Sequence, residues 1–89
     1  MREDEIINDL NGAMASIDPV PSNWVIGITN DIERHMREHG ATQALFQRAS
    51  TSAVARRIER YFLNLGCDGG PGGGGFDAVF VYLVHQDDL

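Results

Sequence analysis

The segment "FDAVFVYLVH", Phe76–His85, constrains the fold of this chain most. Phe80, Tyr82 and Val84 alternate with Val79, Val81 and Leu83, so an extended strand there is apolar on both faces. A strand with one solvated face would carry polar residues at every second position. One that lacks them needs a covering layer on each side. The segment is therefore expected at the centre of a sheet, covered by the chain itself or by a partner. The run "WVIGIT", Trp24–Thr29, also has almost no polar face and reads as a second buried strand.

The remaining segments supply the cover. Ile6, Ile7, Leu10, Met14 and Ile17 recur at helical spacing, so Asp4–Ile17 reads as an amphipathic helix, weakened by Gly12. "DPVPSN" ends it, because proline and the residue before it disfavour helix. Asn30 or Asp31 can cap a short helix over Ile32–His39, and Gly40 suits a left-handed exit. "TQALFQRAS" reads as another strand. "STS" then caps a helix over Ser52–Leu65, whose expected core stripe is Val54, Ile58, Tyr61, Phe62 and Leu65, with Gly66 as its stop. "CDGGPGGGG", Cys67–Gly75, is a glycine-rich connector.

This order, α-β-α-β-α-β, predicts an α/β chain of the α+β kind, with a small three-stranded sheet and about three helices. The 89 residues, 43% of them apolar, suffice for one domain with one core. Residues 1–89 are expected to form it: an N-terminal helix at 4–17, a core at 24–65, a glycine-rich loop at 66–75 and a C-terminal strand at 76–86.

Seven basic residues against 13 acidic ones give a net charge of -6, which disfavours non-specific nucleic-acid binding over the whole surface. All seven are arginine, and Arg34, Arg37, Arg48, Arg56, Arg57 and Arg60 fall in the middle third. Two readings stay open: a locally basic face on an acidic protein, or arginines that solvate two helices. No apolar run is long enough to span a membrane. The start "MREDEIINDL" is too acidic for a secretory signal. Lone Cys67 cannot form an intrachain disulfide, and it reads as a small turn residue rather than a nucleophile. A cytoplasmic location is expected.

Several constellations could carry chemistry. His35 and His39 stand four apart with Glu38 between them, a spacing that can hold zinc. A third ligand would have to be His85 or a remote acid, so two histidines near a helix C-terminus is the simpler reading. Glycine-rich loops can cradle phosphate, but such a loop leads from a strand into a helix, and this one leads from a helix into a strand. A flexible connector is therefore expected, with Asp68 and Asp77 holding its ends. Asp31 and Glu33 suit a helix start. Glu59, among Arg56, Arg57 and Arg60, can serve as an ion-pair partner or bind a divalent metal.

"VIGITNDIERHMREHG" resembles the second motif and following helix of the GIY-YIG nucleases, and "ALFQRASTSAVARRIERYF" resembles their next strand and helix. The resemblance covers roughly Trp24–Leu65, and the tail is similar to small bacterial proteins that join such a core to a glycine-rich end. It implies DNA cleavage by a tyrosine, an arginine and a glutamate-bound metal. The glutamate falls on Glu59, and the arginine position holds His35, with Arg34 one step away. The tyrosine position holds Val25. A circularly permuted core, with Phe76–His85 as the missing first strand, would offer Tyr82 instead. With the phenol and guanidinium absent from their places, the expectation is a non-catalytic interaction module without a cofactor, working as a homodimer or with a protein partner. The alternative is weak nucleic-acid binding through Arg34, Arg37, Arg56, Arg57 and Arg60, or a Mg²⁺-dependent endonuclease that uses Glu59, His35 and Tyr82.

Overall fold

The computed structural model describes residues 2–39, 44–70 and 77–88. Its elements are α1 (Glu3–Ile17), β1 (Trp24–Thr29), α2 (Ile32–His39), β2 (Leu45–Arg48), α3 (Ser52–Leu65), β3 (Asp68–Gly69) and β4 (Phe80–His85), with single 3₁₀ turns at Pro21–Asn23 and Gln86–Asp88. The fold is α+β. Among the described residues, no helix is long and apolar enough to cross a membrane.

The sheet order is β2-β4-β1-β3. β4 is central, as its two apolar faces require, and runs antiparallel to both neighbours: Gly27 pairs with Tyr82, and Leu45 with Leu83. The three-stranded expectation is corrected by β3, two residues that pair in parallel with β1 at Val25 and Ile26. "Asp-Gly" carries no apolar pattern, so nothing in its side chains announces a strand.

The two faces are covered unequally. α1 and α3 cover one face, where Ile6, Leu10 and Met14 join Ala55, Ile58 and Phe62 over Trp24, Ile26, Ile28, Val81 and Leu83. Among the described residues, α2 covers the other, where Ile32 and Met36, with Ala44, pack against Phe80, Tyr82 and Val84. Two members of the expected α3 stripe are corrected: Tyr61 and Leu65 are exposed, and small Ala55 takes the buried place instead. Cys67 is also a core residue rather than a turn residue, and burial pushes its thiol pKa up, with Asp68 adding to the shift.

Local chemistry fixes the ends. The Thr51 hydroxyl accepts the Val54 N–H at 3.2 Å, capping α3. Gly66, at φ 127°, ends it in a conformation that L side chains rarely adopt. The Asp31 carboxylate accepts the Arg34 N–H at 3.0 Å and caps α2.

Candidate functional site

The residues expected to act together are distributed over both sides of the sheet. Tyr82 is buried on the α2 face, with its ring over Gly27. Glu59 lies on α3, which packs on the opposite face. Burial raises the Glu59 pKa, and Arg56 partly offsets the rise. Burial pushes Tyr82 up to about 12, with a smaller push from the Glu59 charge, so the phenol is neutral at ordinary pH. His35 belongs to α2, and its side chain lies outside the described residues, as do those of Glu38 and His39. The structure thus puts α2 and Tyr82 on one face and Glu59 on the other.

The arginines divide in the same way. Arg34 and Arg37 stand on α2, and Arg56, Arg57 and Arg60 on α3, all exposed. Arg34 donates to the Asn30 side chain at 2.9 Å, and Arg57 pairs with Glu3 of α1 at 2.7 Å. Asp77 accepts from Asn30 at 3.1 Å, and Asp68 accepts from Gln86. Each acid beside the glycine run is therefore tied to another element; the phosphate-cradle reading of residues 71–75 lies outside the described residues. Among the described residues, no three His, Cys, Asp or Glu side chains converge as a metal site would need.

The structure instead opens a cavity of about 770 Å³ where α1 ends and β2 begins. Its walls are mostly apolar: Ile17, Pro19, Trp24, Met36, Leu45 and Phe46 contribute, with Leu83 beneath. Ile17 and Phe46 are 62% and 47% exposed and stand on the walls of this one cavity. The polar wall is Asp18, His85 and Asp87. His85 Nε2 lies 2.7 Å from the Asp18 carboxylate, and the Asp87 N–H donates to Nδ1 at 3.2 Å. With Nδ1 accepting, the proton sits on Nε2 and is donated to Asp18. Asp18 also accepts the Val20 N–H at 3.0 Å and the Asn23 amide at 2.9 Å. The hydrogen bond from His85, then those from Val20 and Asn23, hold its carboxyl down at about 2. The Trp24 indole donates to the Asp18 carbonyl at 2.9 Å and meets the His85 ring edge to face.

These bonds make the polar wall an anchor. Both His85 ring nitrogens are engaged within the chain, so neither is placed to take a proton from a substrate. Sequence reasoning passed over this site. His85 stood there only as a remote metal ligand, and Asp18 only as the end of a helix. The alternation of Leu45 and Phe46 in "ALFQR" was the available signal. Comparison with protein families, curated proteins and solved structures finds no match to the chain.

Proposed function

We propose that this chain is a non-catalytic interaction module that takes a protein partner in the cavity beside β2. The observation that carries this reading is the pair of exposed side chains, Ile17 and Phe46, on the walls of one cavity. A largely apolar cavity with a few converging polar groups is the usual form of a binding site. Large apolar side chains left in water favour a surface that something else covers. The His85 imidazole, with both ring nitrogens bonded within the chain, serves as an anchor of the wall.

Trp24 is the sole tryptophan and lines the cavity, so its fluorescence reports occupancy directly. Peptides selected from a random display library on the whole protein should shift Trp24 emission. Phe46→Asp should weaken them at least about tenfold, the penalty for placing a charge in an apolar contact. Selected peptides that bind Phe46→Asp as tightly as the parent would remove the cavity from consideration as the site.

A further inference from the structure

We infer that the occupant is an extended, basic partner segment that adds as a fifth strand on the outer edge of β2; this rests on the cavity being the binding site. The first argument is the backbone. Among the described residues, β2 is an edge strand, bonded to β4 on one side only. The Ala49 N–H donates to the Val79 carbonyl at 2.7 Å, which makes that residue pair a hydrogen-bonded one. Hydrogen-bonded pairs alternate along an antiparallel ladder, so Gln47 and Leu45 also point their N–H and C=O groups inward. Phe46 and Arg48 point theirs outward, and among the described residues no backbone group pairs with them. Two donors and two acceptors are thus set at strand spacing along an open edge.

The side chains make the second argument. The cavity lies at the start of β2, where Leu45 and Phe46 line it from opposite faces of the sheet. Leu45 and Ile17 stand on the α1 face, and Phe46 and Met36 on the α2 face. A strand sends successive side chains to opposite faces, so one laid along β2 would put alternate residues against the two walls. A partner helix has no such alternation. The opposite edge is unsuited to this: β3 is two residues long and carries an acid and a glycine.

Charge selects the partner. The carboxylates on the wall belong to Asp18 and Asp87, the side chain of Asp87 is 93% exposed, and among the described residues no arginine lines the cavity; Arg48 stands at the far end of β2, so the attraction acts at the Leu45 end. The chain as a whole carries -6. A segment with Lys or Arg beside its apolar residues is attracted, and a second copy of this acidic chain is repelled.

The probe is a capped peptide, Arg-Val-Ile-Val-Ile-Val-Arg, with two controls: the same peptide with Glu for Arg, and one N-methylated at alternate amides. Trp24 emission and amide hydrogen exchange are read on the whole protein. The Arg peptide should shift Trp24 and slow exchange of the Phe46 and Arg48 N–H groups at least about tenfold, since free amides become bonded. The N-methylated and Glu peptides should bind at least about tenfold more weakly. A Trp24 shift without protection of Phe46 and Arg48, or equal binding of the N-methylated peptide, overturns strand addition but leaves the cavity as a binding site. No Trp24 shift with the Arg peptide up to millimolar concentration overturns the inference, and failure of the library-selected peptides as well overturns the site. Protection of the same two amides on raising protein concentration alone, with a dimer in sedimentation, overturns the basic partner in favour of a second copy.

Discussion

Gly27 shows how one residue depends on another far along the chain. A Cβ there would collide with the Tyr82 hydroxyl and ring, and a Cβ at Gly70 would lie 2.7 Å from the same hydroxyl. The phenol lies flat over β1 because two glycines leave room for it. Gly27→Ala should therefore destabilise by about 1–3 kcal/mol, as overpacked cores do. Urea melts of Gly27→Ala in parent and Tyr82→Ala backgrounds test the cause; an equal loss in both would show that the Tyr82 ring is not what the methyl meets. Asp18 gives a second residue-level expectation. Its pKa is lowered from 3.8 to about 2, first by the His85 hydrogen bond. A depressed carboxylate contributes stability that is present above its unfolded pKa and lost as pH falls through the folded one. The chain should thus lose stability from this group between about pH 4 and pH 2, and Asp18→Asn should flatten that limb of an acid titration followed by circular dichroism. Neither Gly27's need nor the bond between Asp18 and His85 could be read locally, because Tyr82 and His85 lie at the far end of the sequence.

At the scale of elements, periodicity told which segments are helices and strands, and β1, α2 and α3 begin and end where their caps and turns place them. It did not tell how wide a buried stripe is. α3 presents Ala55, Ile58 and Phe62 to the sheet, while Tyr61 and Leu65 stay 39% and 40% exposed. The approach of a helix to a sheet needs a small residue as much as large ones, and a hydrophobicity pattern ranks alanine low. Ile58→Ala should cost about 2–5 kcal/mol, against less than about 0.5 kcal/mol for Leu65→Ser. Comparable denaturation midpoints for the two variants would contradict this packing. In α1, Gly12 faces open space with nothing within 4 Å of an added Cβ. Gly12→Ala should raise stability by about 0.5–1 kcal/mol, because the loss of backbone freedom on folding is smaller. β3 was illegible for a different reason: its two residues are set by the backbone of β1 beside them, and the cavity was illegible because it is made by four segments that meet only after folding.

For the whole molecule, the arginines are the test between binding a protein and binding a nucleic acid. Arg34 and Arg37 sit on α2 and Arg56, Arg57 and Arg60 on α3, helices that cover opposite faces, and the net charge is -6. Plasmid nicking with Mg²⁺ or Mn²⁺ is expected at background level; metal-dependent nicking that disappears in Glu59→Gln would establish an endonuclease instead. The sheet order has a further consequence, for the making of the protein. β1 and β2 each pair with β4, and β4 is the last of the four strands to be synthesised. At roughly 5–20 residues per second, a ribosome holds "WVIGIT" and "LFQR" without their main partner for a few seconds. Through that interval the nascent chain exposes apolar strands that cannot yet form a sheet, so its dependence on chaperones should be set by the arrival of Phe80–His85 rather than by the strength of the finished fold.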